Sequence, residues 1–270
     1  MHTRAEDMKP EKLMKPMDLE GERIVGLCWA RGDGSTLFRK NVYPVLGKPL
    51  LFYALNSVKK SGLTRHFYVF TEDDEIASIT ESFGFKAIPR PENLIDYNHP
   101  NFSMEECWEK IGDFIKNDIG MVADPYPYAP EHIRVLQATG HFMLMVNCNN
   151  VMIRPSTYKK MYATLKANPH MYQIVPSVRI IGNLQITGPN GALLPLIWYP
   201  GVDRQHYPDV YRPLSTTTLS KMENVRDKGS DFMGCYPLEV DEVEGFDVHS
   251  LDDVRFVETF LRQHNDYFDF

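Results

Sequence analysis

Two rhythms of apolar and polar positions alternate along this chain. Short apolar runs are followed by stretches whose apolar residues recur every three or four positions. "RIVGLCWA" predicts a buried first strand that ends at a glycine-rich turn. In "KPLLFYALNSVKKSGL", Leu50, Leu51, Tyr53, Ala54 and Val58 fall on one helical face, and Gly62 stands where a C-cap belongs. "RHFYVFTEDD" predicts a second strand running into an acidic turn. "DEIASITESFGF" predicts a short helix with Asp73 or Asp74 as N-cap and Gly84 as stop. "KAIPRPENL" reads as a third strand with a proline-locked loop, and "SMEECWEKIGDFI" as a helix with Ser103 and Glu106 in capping-box spacing. A Pro- and Tyr-rich loop, "ADPYPYAP", precedes a helix at "EHIRVLQAT" and a central strand at "HFMLMVNCNN". "RPSTYKKMYATLKANP" is a helix with Pro155 near its first turn.

Strands alternating with helices predict an α/β fold with a mostly parallel, doubly wound sheet. Residues 171–225 break the rhythm. "YQIVPSVRIIGNLQIT" and "ALLPLIWYP" read as antiparallel strands joined by "GPNG", and "TTTLSKMENVR" reads as a helix, so this region is expected to be a small antiparallel insertion on the same sheet. "CYPLEVDEVEGFDVHSLDD" returns a strand, and "LDDVRFVETFLRQHN" closes the chain as an amphipathic helix. The expected organisation is a mobile leader over residues 1–22 and a single domain over 23–270.

Composition narrows the function. A 43% hydrophobic content supplies a full globular core. The net charge of −7 argues against nucleic-acid binding, which rests on cationic surface. No apolar run reaches the roughly 20 residues a membrane span needs, and the polar start lacks the apolar core of a signal peptide. The four cysteines, Cys28, Cys107, Cys148 and Cys235, are far apart and form no CxxC, as reduced thiols of a cytoplasmic protein would be.

Against that acidic background, "WARGDGSTLFRKNVYPVLGKPL" concentrates Arg31, Arg39, Lys40 and Lys48 against the single carboxylate of Asp33. The stretch follows the first strand, and ligands of doubly wound sheets bind outside the carboxyl ends of strands. Gly32 and Gly34 let the backbone approach a ligand, and successive N–H groups in such a turn make an anion-binding concavity. Arg31 and Lys40 suit a triphosphate, and Asn41 suits a base or ribose. A solvated basic turn would carry the same residues. The stretch is neither a Walker A loop nor a GxGxxG.

The stretch resembles the start of the acylneuraminate cytidylyltransferase family, the CMP-sialic acid synthetases and their relatives, which opens with a strand, ARGGSK, a spacer, KN and GKPLI. Ala30-Arg31-Gly32, Arg39-Lys40-Asn41 and Gly47-Lys48-Pro49-Leu50 keep that spacing. "VFTEDDEIASITESFGFKAIPRPENL", "RQHYPDVYRP" and "GFDVHSLDDVRFVE" resemble three later elements in the same order. The resemblance implies a nucleotide-diphospho-sugar transferase-like fold and transfer of CMP from CTP to a 2-keto-3-deoxy sugar acid, with Mg2+ and a homodimer. It places Arg31, Gly32, Gly34, Ser35, Lys40, Asn41 and Arg90 on the nucleotide. It places Asn147, Asn149, Arg204 and Gln205 on the acidic sugar, with Arg suited to a carboxylate. It makes Arg31, Lys40 and Asp247 the catalytic set, and Asp247 with His249 the metal set. The 171–225 insertion would serve dimerisation or acceptor binding.

The departures bear on substrate. The family's proline before ARG is Trp29, its GGSK reads Gly32-Asp33-Gly34-Ser35, the central strand ends in Asn147-Cys148-Asn149-Asn150, and the second aspartate of the terminal element is His249. His249 suits a softer metal or proton transfer, and a lone loop histidine with no such role is the plainer account. Two other functions fit these changes: a nucleotidyltransferase for another acceptor, such as a sugar phosphate or phosphonate, and a nucleotide-binding protein that has lost transfer chemistry.

Overall fold

The computed structural model describes residues 24–33, 37–120, 141–180, 184–188, 191–196, 206, 208–214, 216–222 and 235–268. The chain begins with β1 (Ile24–Trp29), β2 (Pro44–Val45), β3 (Lys48–Pro49), α1 (Leu50–Ser61), β4 (His66–Thr71), α2 (Asp74–Ser82) and β5 (Lys86–Pro89). It continues with α3 (Met104–Ile119), β6 (Phe142–Val146), α4 (Pro155–Ala167), β7 (Gln173–Ile180), β8 (Gln185–Thr187) and β9 (Leu193–Pro195). β10 (Val210–Pro213), β11 (Thr218–Lys221), β12 (Cys235–Val240) and α5 (Leu251–Gln263) complete it.

β6, β1, β4 and β5 lie side by side in parallel. β1 reads as an unbroken apolar run because both of its faces are covered. Ile24 and Cys28 pack with Phe67 and Val69 under α1 and α4. Val25 and Leu27 pack with Tyr68 and Phe70 under α3. Gly26 is required on this strand, since a Cβ there would stand 2.2 Å from Cδ2 of Phe67. A third cluster joins α5 to Val45, Leu50 and Tyr53 through Val254, Val257 and Leu261.

Local signals end the helices as the sequence predicts. Gly62 closes α1 at φ +62°. Asp73 caps α2, accepting from the backbone N–H of Glu75 and Ile76. Ser103 caps α3, and Ser250 with Asp253 forms a reciprocal capping box on α5.

One expectation is corrected. The helix read at "TTTLSKMENVR" is a strand over its described core: β11 lies antiparallel to both β6 and β7. Thr218, Leu219, Ser220 and Lys221 are all buried, so no polar face remains for an amphipathic helix, and the Thr run suits a strand. β10 also joins β7 antiparallel and β12 joins it parallel, completing an eight-stranded sheet. Gln173 and Ile174 pair with both β11 and β12, so those strands lie on opposite edges of β7. The insertion is expected on the same sheet: β7, β10 and β11 do join it, whereas β8 and β9 pair antiparallel as a separate two-stranded ribbon. The expected loop at "ADPYPYAP" and helix at "EHIRVLQAT" lie outside the described residues.

Burial opposes ionisation of Asp73, Asp118, Asp241 and Asp253. Hydrogen bonds and cations outweigh it, and hold all four carboxyls below the usual carboxylate value. A carboxyl with a depressed native pKa binds fewer protons folded than unfolded. Its contribution is therefore whole above the unfolded value of about 4 and is lost as pH falls through the native one. Urea unfolding midpoints should fall steadily below about pH 4, and less steeply in Asp253→Asn. Gly26→Ala should cost about 1–3 kcal/mol by overpacking against Phe67, read from the same urea curves at neutral pH.

Candidate active site

The parallel strands bring the carboxyl ends of β1, β4, β5 and β6 to one side of the sheet, and hydrogen bonds stitch the segments leaving them together. Ala30 donates its backbone N–H to Phe70 O at 3.1 Å, and Arg90 its own to Thr71 O at 2.9 Å. Asn41 Nδ2 donates to Arg31 O at 2.8 Å, which folds the turn at residues 40–42 back onto the end of β1. Lys40 Nζ donates to Val248 O at 3.3 Å, and the backbone N–H of Val248 donates to Asn149 O at 3.2 Å. Four distant stretches of sequence thus meet: the basic turn, the ends of β4 and β5, the turn after β6, and the segment before α5.

The four cations of the basic stretch part company here. Arg39 sits in the left-handed region at φ +50° and is clamped to α2, with Nη1 2.8 Å from Asp73 Oδ2 and Nη2 2.7 Å from Glu75 Oε2. Lys48 is exposed on β3, with Nζ 5.3 Å from the ring centre of Phe52. Arg31 and Lys40 have no ion-pair partner among the described residues. Lys40 is only 7% exposed. Burial lowers its pKa against the opposing pull of Cys148 and Asp247, so it lies in the field of both. Gly32 is needed for space as well as reach: a Cβ there would lie 2.6 Å from Asp73 Oδ2.

Arg90 is 4% exposed. Its Nε donates to Leu94 O at 2.6 Å and its Nη2 to Ile95 O at 3.2 Å, and Arg31 Nη1 reaches the same Ile95 carbonyl at 3.3 Å. The Arg90 guanidinium lies over the rings of Trp29, Phe70 and Tyr97. Glu72, read in the sequence only as part of an acidic turn, accepts from the backbone N–H of Gly32 through Oε1 at 2.7 Å.

Beyond β6, Asn147 Oδ1 accepts from the backbone N–H of Asn149 at 3.0 Å, and Thr217 bridges Asn147 N to Asn150 Oδ1. Cys148 lies against Cys28. That contact and burial push the Cys28 thiol well up, while the same contact, with help from Lys40, brings Cys148 down. Asp247 Oδ2 lies 3.0 Å from His249 Nε2, and Asp247 Oδ1 is buried without a partner. The described residues include no group of three His, Cys, Asp or Glu side chains able to hold a metal ion. Mg2+ beside phosphates needs only one or two carboxylates, the rest of its shell coming from phosphate and water. The free Asp247 oxygen fits a cation shared with a nucleotide and does not fit one caged by protein alone.

Arg31, Gly32, Lys40, Asn41, Arg90, Asn147, Asn149, Asp247 and His249 therefore all border this end of the sheet. Gly34, Ser35, Arg204 and Gln205 lie outside the described residues. Trp29 and Glu72 were not among the candidates. Their one signal in the sequence was position, immediately before the Ala30-Arg31-Gly32 triplet and at the end of the second strand.

The fold is α/β, with the cation-rich turn at the carboxyl ends of its parallel strands. Solved structures share the fold. CMP:2-keto-3-deoxy-manno-octonic acid synthetase, solved in complex with CTP, matches with a TM-score of 0.59 at 14% identity, over 90% of this chain and 99% of that one. The 4-diphosphocytidyl-2C-methyl-D-erythritol synthase of Anaerococcus prevotii matches at 0.58 and 12% identity, over 90% and 98%. Residues 25–99 match the family model described as Cytidylyltransferase. The N-acylneuraminate cytidylyltransferase of Escherichia coli is 28% identical over 160 residues, 58% of this chain and 31% of that protein. A pseudaminic acid cytidylyltransferase of Campylobacter jejuni is 35% identical over 68 residues, 25% and 29% of the two. The chain thus spans about a third of the length of these curated relatives. The similarity to cytidylyltransferases is strongest over residues 25–99, the segment that carries the basic turn.

The Arg39 clamp ties the basic turn to α2 and leaves Arg31 and Lys40 outside the ion pair. A double-mutant cycle of Arg39→Ala and Asp73→Ala should give a coupling of about 0.5–1 kcal/mol in urea unfolding, the range of a partly exposed pair.

Proposed function

We propose that this protein transfers CMP from CTP to a 2-keto-3-deoxy sugar acid and releases pyrophosphate. The observation that supports the reading is Lys40: a buried ammonium with no carboxylate paired to it among the described residues, in the field of Arg31 and of Asp247, whose Oδ1 has no partner. Such a cation is costly to bury unless an anion completes it. In the reaction a sugar hydroxyl attacks the α-phosphorus, and the bond to the β-phosphate bridging oxygen breaks. The work is positioning and charge stabilisation. Lys40 and Arg31 face the negative charge that gathers on the phosphates, with Gly32 allowing close approach. Asn41 orients the nucleoside, and Arg90 lies beside the base. Arg204 and Gln205, with Asn147 and Asn149, are assigned to the acidic acceptor. A Mg2+ ion held by Asp247 Oδ1, with His249 on its flank, would neutralise phosphate charge.

Transfer to a sugar phosphate or phosphonate is the second reading. It is favoured by the turn after β6, where the Asn147 and Asn150 side-chain oxygens are spent on internal hydrogen bonds. We also assign the β8–β9 ribbon to a homodimer contact, because Ile186, Leu193, Leu194 and Leu196 are all exposed on or beside it. The site of action is taken as the cytoplasm, in keeping with free cysteines. No helix among the described residues is long and apolar enough to cross a membrane.

Incubation with each nucleoside triphosphate, Mg2+ and a panel of ulosonic acids, sugar phosphates and phosphonates should release pyrophosphate with CTP and an ulosonic acid. Folded protein that releases none with any pair would sink the reading. Lys40→Met should lower kcat/KM by about 100-fold or more. Light scattering should show a dimer that Leu193→Glu with Leu194→Glu converts to monomer.

A further inference from the structure

Among the described residues, six buried side-chain polar atoms lack a hydrogen-bond partner. Five belong to the candidate site: Trp29 Nε1, Asn41 Oδ1, Glu72 Oε2, Arg90 Nη1 and Asp247 Oδ1. Buried polar atoms are nearly always paired, so such a cluster marks where something else binds. Three of the five belong to residues at the ends of β1, β4 and β5. The Arg90 guanidinium lies 5.4 Å from the centre of the Trp29 ring. Its backbone N–H holds the carbonyl of Thr71, the residue before Glu72. Glu72 in turn is tied through its other oxygen to Gly32, three residues beyond Trp29. What remains open is one acceptor, Glu72 Oε2, and two donors, Trp29 Nε1–H and Arg90 Nη1–H.

A carboxylate at this spot cannot be meant for phosphate, which it repels; it needs a donor. The complementary edge offers one donor and two acceptors. Cytosine presents that set: the 4-amino group, N3 and O2. Uracil presents O4 toward the carboxylate and N3–H toward the arginine, two mismatches. Adenine has its amino group and N1 but only a C–H for the second donor. We propose that Glu72, Arg90 and Trp29 read the Watson–Crick edge of cytosine, with Glu72 accepting from the 4-amino group as the residue that separates CTP from UTP. This rests on the CTP reading above and adds the means of base choice. Glu72 is suited to the task because it has two oxygens: Gly32 N–H occupies one, and the second is free for the base.

Calorimetry on the full chain, without acceptor, with CTP, UTP and the triphosphate of 2-pyrimidinone riboside, tests the proposal. The last differs from CTP only by loss of the amino group. Wild-type protein should bind CTP at least about tenfold more tightly than either, the scale of one well-placed base contact. In Glu72→Gln the single amide oxygen is claimed by Gly32 N–H and the amide NH2 turns to the base. The CTP-to-UTP ratio should then fall to near one or invert. Trp29→Phe should weaken CTP and UTP alike, since both carry O2, and keep their ratio. Circular dichroism checks that each variant is folded, and the three-nucleotide comparison on wild type needs no variant.

Wild-type affinities within twofold for CTP and the 2-pyrimidinone analogue, or a Glu72→Gln variant with undiminished CTP preference, would overturn the base assignment while leaving a triphosphate site standing. Failure of every nucleoside triphosphate to bind overturns the CTP reading and this proposal together. CTP-selective binding that Glu72→Gln abolishes upholds the proposal, even where no acceptor supports transfer.

Discussion

A buried ammonium facing a backbone carbonyl at 3.3 Å is the constraint around which this end of the molecule is arranged. Lys40 is held there by chain on every side. The turn at residues 40–42 is folded onto β1 by Asn41, the carbonyl it meets belongs to the segment before α5, and that segment is tied in turn to the loop after β6. Desolvation and the nearby Arg31 work against the charge, and the fields of Cys148, Asp247 and Asp253 work for it. A site so built holds a buried charge with no carboxylate paired to it among the described residues, the arrangement on which the proposed anion site rests.

Around that cation the charges divide by role. Arg39 adopts a left-handed backbone and gives both guanidinium nitrogens to carboxylates of α2 and its cap, so it organises the turn. Asp73 serves two purposes with two oxygens, one on the helix N–H groups and one on Arg39, and its closeness leaves room only for glycine at position 32. Arg31 and Arg90 share the Ile95 carbonyl, which brings both guanidinium groups to the end of β1 with no carboxylate of the described residues bonded to either. The acidic net charge of the chain therefore coexists with a local surplus of unpaired cation.

Much of the architecture was legible in the residues. β1 and β4 stand out as apolar runs because both faces are covered, α1 and α5 as amphipathic spacings, and α2 and α3 by capping residues that bond as their spacing implies. The strand at Thr218–Lys221 was not legible. Its polar residues are buried between two neighbours, a tertiary circumstance that reverses what a mixed polar stretch suggests in isolation. In the site, Arg31, Lys40, Asn41 and Asp247 were named from the basic turn and from resemblance. Trp29 and Glu72 lay inside the quoted stretches, but neither an indole nor one carboxylate of an acidic turn shows in sequence that a buried polar atom is left unpaired.

By itself the sequence determined the alternation of strands and helices, the helix ends, and the concentration of cations after the first strand. These follow from short-range patterning, which acts over a few residues and survives whatever surrounds it. Tertiary structure decided which of those cations are already paired and which are not. It also joined residue 40 to residue 248, and residue 32 to residue 72. The reason is physical: an ion pair or a stranded polar atom is a relation between groups distant in the chain, and it exists only once the sheet has brought their strand ends together.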